Sequence, residues 1–177
     1  FNGIRIQSNL VGAYNFANLS AAIAIGAYFK VSPEKIKAGI EGYVPSNNRS
    51  QLMVKGTNTI LMDAYNANPT SMMAALKNFK QANGDNKIMF LGDMFELGKE
   101  AENEHQNIVD YLVENSFGST YFVGRNFFKS KSNATHIKQF ETFEKLKAAL
   151  ENNPPRNATI LIKASRGMAL ERILDVI

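Results

Sequence analysis

The sequence predicts an α/β protein with a doubly wound, mostly parallel Rossmann-like sheet and an N-terminal helical tail from a preceding domain. Three observations carry this. Short apolar runs of strand length (TILM, KIMFL, TYFV and TILI) alternate with stretches whose apolar residues recur at helical spacing. Parallel strands need long crossovers, usually helices, so such alternation implies helices on both faces of a sheet. A breaker cluster, Val44 to Asn48, separates this alternation from two earlier helices that have no strand between them.

Phe1 to Gln7 alternates enough to predict a short strand, and Ser8 to Tyr14 a polar turn. Asn15 to Lys30 predicts a helix with Ala, Ile and aromatic residues on nearly all faces, the mark of burial among other elements. Ser32-Pro33-Glu34 supplies N-cap, first helical proline and first-turn acid for a second helix through Ile36 and Ile40. Beyond the linker, Gln51 to Val54 and Thr59 to Asp63 flank the turn Lys55 to Asn58 as a hairpin, whose first strand can be antiparallel.

A helix from about Pro69 to Ala82 follows, opened by Asn68 as N-cap and Pro69 at the first helical position. Lys87 to Leu91 is a buried strand, Glu100 to Glu114 an amphipathic helix, Thr120 to Val123 a strand and Asn126 to Lys131 a short helix. Thr135 to Lys138 predicts a weak strand, and Phe143, Leu146 and Leu150 mark a helix stopped by Asn153-Pro154-Pro155. Thr159 to Ile162 is the last strand, Lys163 to Gly167 a polar loop, and Leu170, Ile173, Leu174 and Ile177 the core face of a final helix.

Composition bounds the chemistry. With 177 residues, 45% of them hydrophobic and 20% charged, the chain has a globular make-up, and one domain with an appendage is as natural as two. The net charge of +4 is scattered, which favours small anionic ligands over a nucleic-acid surface. The absence of cysteine excludes disulfides, thiol catalysis and cysteine zinc sites and fits a reducing compartment, and two histidines are too few for most metal sites. The longest apolar run, Phe16 to Phe29, falls short of the roughly 20 residues a membrane helix needs, so no membrane insertion is expected.

In open α/β sheets ligands gather at the carboxyl ends of the strands. The loops predicted there carry Asp63, Tyr65, Asn66 and Asn68, then Asp93 and Glu96, then Arg125, then Lys163, Ser165 and Arg166. Each alone reads more readily as a cap or a solvated loop residue: Ser165 could cap the last helix, and His105 fits a packed, hydrogen-bonded core-edge histidine. Their convergence is the signal. Gly92 to Glu100 (GDMFELGKE) nearly matches a phosphate loop, but its glycines are one residue too far apart. Glu100 also replaces the Mg²⁺-binding hydroxyl, and Glu96 would face the phosphates. No GxGxxG occurs either, so any phosphate cradle must come from elsewhere.

Several motifs together resemble the Mur ligases. LVGAYNFANLSAA (Leu10 to Ala22) and NRSQ (Asn48 to Gln51) are similar to family segments, while DAYNANPTSM (Asp63 to Met72), LGDMFELG (Leu91 to Gly98) and KASRGMALER (Lys163 to Arg172) resemble the MurF branch. The resemblance implies that residues 1–46 end a central ATPase domain and that residues 47–177 form the C-terminal domain. It implies a cytoplasmic ligase that uses ATP and Mg²⁺ to add D-Ala-D-Ala to a UDP-N-acetylmuramoyl-tripeptide through an acyl phosphate.

Asn15 and Asn18 resemble adenine-contacting asparagines, Arg49 an arginine that reaches the nucleotide, and Asp63 an acid that holds the ribose hydroxyls. Asn66, Asn68, Ser165 and Arg166 lie where related ligases hold the incoming amino substrate. Tyr14 departs from the family's usual histidine. A non-catalytic α/β docking domain and a folate-directed peptide ligase are the alternative readings.

Overall fold

The computed structural model describes residues 1–12 and 15–177; Tyr14 lies outside them. Two helices come first, α1 (Phe16–Tyr28) and α2 (Pro33–Gly42). The body follows as β1 (Gln51–Lys55), β2 (Asn58–Asp63), α3 (Pro69–Lys80), β3 (Lys87–Gly92) and α4 (Ala101–Glu114). It continues through β4 (Ser119–Val123), α5 (Arg125–Lys129), β5 (Ile137–Phe140), α6 (Phe143–Glu151) and β6 (Thr159–Lys163). The six strands form one sheet in the order β1-β2-β6-β3-β4-β5, parallel except for the β1/β2 hairpin.

The order explains the layers. From β2 the chain steps over β6 to β3 and on to β4 and β5, with α3, α4 and α5 on one face. It then returns through α6 on the other face to insert β6 in the middle. Crossovers of one hand require such a change of face when the direction reverses. Strand alternation divides the core accordingly. Leu61, Met89 and Leu161 pack under α3 and α4 with Met72, Leu76, Ile108 and Leu112, whereas Ile60, Phe90 and Ile162 meet Leu146, Leu150, Leu170 and Ile173 behind. The reversal at β6 opens a crevice beyond the carboxyl ends of β2, β6 and β3.

Local chemistry matches these elements. Ser32 accepts from the Lys35 N–H to cap α2, and Asn68 and Ser71 form a reciprocal capping box at α3. The loop after β3 is fixed by Asp93, whose carboxylate accepts from the N–H groups of Asn126 (2.9 Å) and Phe127 (3.0 Å) at the start of α5. Gly124 permits this contact: its φ is +124°, and a β-carbon there would lie 2.3 Å from the Asp93 carboxyl carbon.

Four expectations are corrected. Phe1 to Gln7 is no strand; it has no ladder partner among the described residues, and its backbone is instead bound by side chains of α2, Gln7 N–H by Glu41 and Arg5 C=O by Lys37. The all-round apolar α1 buries none of its residues, with Phe16, Ile25 and Tyr28 exposed. Within this chain α1 rests on α2 at Gly26 against Ile36, a contact that leaves much of its apolar surface exposed. β5 starts at Ile137, two residues beyond the weak pattern, because that residue pairs with Thr120 of β4. The final helix is two short 3₁₀ runs, Arg166–Met168 and Leu170–Asp175, since Ala169 between them is left-handed with φ 46°.

Candidate functional site

Asp63 is the last residue of β2 and stands in register with Lys163, the last of β6. The parallel pairing of two central strands thus brings together an acid and a base 100 residues apart in sequence. The Lys163 ammonium lies 2.7 Å from Asp63 Oδ2, with only 2% of its side chain exposed, and also donates to the Asn66 carbonyl at 3.1 Å. Asp63 Oδ1 accepts from the Ser50 N–H at 3.0 Å. Both carboxylate oxygens therefore have a protein partner, and each keeps acceptor capacity for a further donor.

Arg49 sits beside this pair. Asn48 and Ser50, its two neighbours, are both left-handed, with φ of 58° and 49°. Such backbone persists for residues other than glycine only where the surroundings enforce it, and it concentrates at binding sites. Here the Tyr65 N–H donates to the Asn48 carbonyl, and the Arg49 guanidinium is 3.7 Å from the centre of the Tyr65 ring. Arg49, Asp63, Tyr65, Asn66, Asn68 and Lys163 line a cavity of about 310 Å³ that also reaches the N-terminal turn of α3. Two cations, one anion and the positive end of a helix suit an anionic ligand.

The tail reaches the site through one line of polar contacts. Asn18 Nδ2 donates to Asn15 Oδ1 (3.1 Å), the buried Asn15 donates to the Val11 carbonyl (2.8 Å) and Ser50 Oγ (3.5 Å), and Ser50 reaches Asp63. Asn15, Asn18, Arg49 and Asp63 are thereby gathered around one turn. Asn18 itself is exposed on the rim of an apolar groove between α1 and α2.

The other candidates separate. Asn66 accepts from the Ala67 N–H with its side chain, and Asn68 spends its oxygen on the Ser71 N–H as the helix cap. Ser165 is buried and makes no cap bond; its hydroxyl accepts from the Phe95 N–H (2.8 Å) and donates to the Ala67 carbonyl (3.3 Å), tying three loops together. Gly167 lets Phe95 approach, since a β-carbon there would meet that ring at 2.8 Å. Arg166 points away from the cavity lining to Glu171 at 2.6 Å, with 60% of its side chain exposed.

Asp93 is consumed by α5, and Glu96 is exposed. His105 is fully buried: Nε2 accepts from the Met94 N–H and Nδ1 donates to the Ala101 carbonyl, so its 3.7 Å approach to Asp93 is no ion pair. Lys163, a loop candidate in the sequence, is instead the last residue of β6, and its pairing with Asp63 is the site contact that the sequence did not show. Its signal was a lysine closing an otherwise apolar strand.

Residues 48–166 match the family described as Mur ligase, glutamate ligase domain. The chain belongs to the Mur ligase family. Among curated relatives, the UDP-N-acetylmuramoyl-tripeptide--D-alanyl-D-alanine ligase of Bacillus subtilis is 33% identical over 173 residues, covering 93% of this chain and 38% of the relative. The enzyme of that name from Treponema pallidum is 31% identical, covering 98% of this chain and 39% of its own length. The crystal structure of MurF from Acinetobacter baumannii superimposes with a TM-score of 0.83 at 30% identity, over 96% of this chain and 38% of that one. This Mur ligase chain thus spans less than two fifths of the length of the relatives it matches.

Proposed function

We propose that this Mur ligase segment is the C-terminal part of an ATP-dependent ligase that joins D-Ala-D-Ala to a UDP-N-acetylmuramoyl-tripeptide in peptidoglycan precursor synthesis. The observation that supports the reading is the line of contacts from Asn18 through Asn15 and Ser50 to Asp63, which gathers the proposed nucleotide ligands at the start of the β2–α3 loop. The names of the relatives support the substrates. Residues 1–46 then end the central ATPase domain, residues 47–177 form the C-terminal domain, and Val44 to Asn48 is the hinge between them. The enzyme works in the cytoplasm.

In this reading the tripeptide carboxylate takes the γ-phosphoryl group of ATP, giving an acyl phosphate and ADP. The D-Ala-D-Ala amine attacks the acyl carbon, loses a proton and expels phosphate. The chain's own contribution is positional. Asn18, held by Asn15, offers an amide to the base edge, Arg49 grips phosphate oxygens, and Asp63 accepts from ribose hydroxyls. Asn66 and Asn68 flank the acceptor side, Ser165 holds its loops together, and Arg166 would reach it by leaving Glu171. Mg²⁺ would neutralise the transferring phosphoryl group, and since the described residues form no cluster of three or more acidic or histidine side chains, its ligands would come from elsewhere in the enzyme.

The test is product analysis with the complete enzyme that carries this segment, supplied with ATP, the UDP-linked tripeptide and D-Ala-D-Ala. The pentapeptide with stoichiometric ADP and phosphate is the expected result. Elongation of a folate, or ATP-independent binding alone, would contradict it. The 177-residue chain by itself is expected to give no turnover, because no segment meets the phosphate-loop pattern.

A further inference from the structure

Lys163 is the most buried charge in the crevice. A buried ammonium is costly unless paired and hydrogen-bonded, and Lys163 meets both conditions through groups of one loop, the Asp63 carboxylate and the Asn66 carbonyl. Two of its three N–H bonds are spent there. The grip fixes Asp63 from one side while the Ser50 N–H fixes it from the other. It also holds the backbone at Asn66, two residues before the α3 cap. Nucleotide-side and acceptor-side groups of the β2–α3 loop therefore hang on one buried cation.

We propose that Lys163 is a positioning residue for nucleotide binding, acting through Asp63. The proposal rests on the reading of Asp63 as a ribose ligand. Lys163 orients the carboxylate so that its remaining acceptor positions face the cavity, and without it the carboxylate is free to rotate or draw in water. The effect belongs to binding of ATP and not to the chemical step.

The experiment is a double-mutant cycle in the complete enzyme with Lys163→Met, Asp63→Asn and both together, reading KM for ATP, kcat and thermal midpoint. Lys163→Met is expected to raise KM for ATP by about tenfold, the worth of roughly one well-oriented hydrogen bond. In the Asp63→Asn background the same change should add less than about twofold, because the group it orients is already lost. Lys163→Gln, which keeps an N–H donor on a side chain one bond shorter, should fall between wild type and Lys163→Met. It carries the test alone if the methionine variant does not fold.

A lowered thermal midpoint with KM for ATP unchanged in Lys163→Gln and Lys163→Met makes Lys163 merely structural and overturns the proposal. So do independent, multiplying effects of the two sites. If Asp63→Asn alone leaves KM for ATP unchanged, it is the ribose assignment that has failed.

Discussion

Lys163 and Arg166 stand three residues apart on one loop, and each closes an ion pair, at 2.7 Å with Asp63 and 2.6 Å with Glu171. Distance does not tell them apart; burial does. The Lys163 side chain is 2% exposed and bridges two central strands, whereas that of Arg166 is 60% exposed and reaches only to the next short 3₁₀ run. Water screens the second pair and leaves the first unscreened. The lesson is that a loop rich in charge divides into groups that build the site and groups that fringe it, according to which strand ends they meet.

Removing a charge tests that division. Lys163→Met strands Asp63 in a half-buried setting and should cost about 3 to 5 kcal/mol, read as a shifted midpoint in urea unfolding of the chain. A loss under about 1 kcal/mol would place Lys163 with Arg166. Gly124→Ala probes the other buried carboxylate, Asp93. The backbone at φ +124° alone should cost about 1 to 3 kcal/mol, and crowding of the Asp93 carboxylate adds to it. An unchanged midpoint would mean that the Asp93 contact with α5 is dispensable.

Arg166→Lys should leave stability within about 1 kcal/mol. If Arg166 exchanges Glu171 for the dipeptide carboxylate when substrate binds, this change raises KM for D-Ala-D-Ala by about tenfold, since lysine cannot form the paired bonds. An unchanged dipeptide KM removes Arg166 from the acceptor site. Glu141 gives the smallest effect. Its exposed carboxyl is held below the usual range, first by the hydrogen bond from Lys145 and then by that ammonium's charge. A lowered folded value means that the contribution is present above the unfolded value and lost as pH falls through the folded one. Glu141→Gln should therefore leave the midpoint nearly unmoved at pH 7 and flatten its acid limb only slightly.

Most of the body was legible because its signals are local. The capping pattern at Asn68 and Pro69, the apolar strands and the breakers at Pro154-Pro155 each act within a few residues, and the loops they define are those that meet at the crevice. Lys163 was not legible as a partner of Asp63, since only the insertion of β6 between β2 and β3 puts them in register. Ser165 looked like a cap for the same reason: its real partners, Phe95 and Ala67, come from two other loops. The apolar faces of α1 signalled a need for cover without saying what provides it. Ala169 broke the final helix through a left-handed backbone that its side chain gives no hint of.

We propose that the carboxylate at the end of β2, held by Lys163 and Ser50, binds nucleotide and does no proton transfer. Steady-state kinetics of Asp63→Asn in the complete enzyme address it directly. The expected result is a KM for ATP raised about tenfold or more, with that for D-Ala-D-Ala within about twofold, since one charge-assisted hydrogen-bonding site is lost. An unchanged KM for ATP with a collapsed kcat would contradict it and make Asp63 the base that deprotonates the attacking amine.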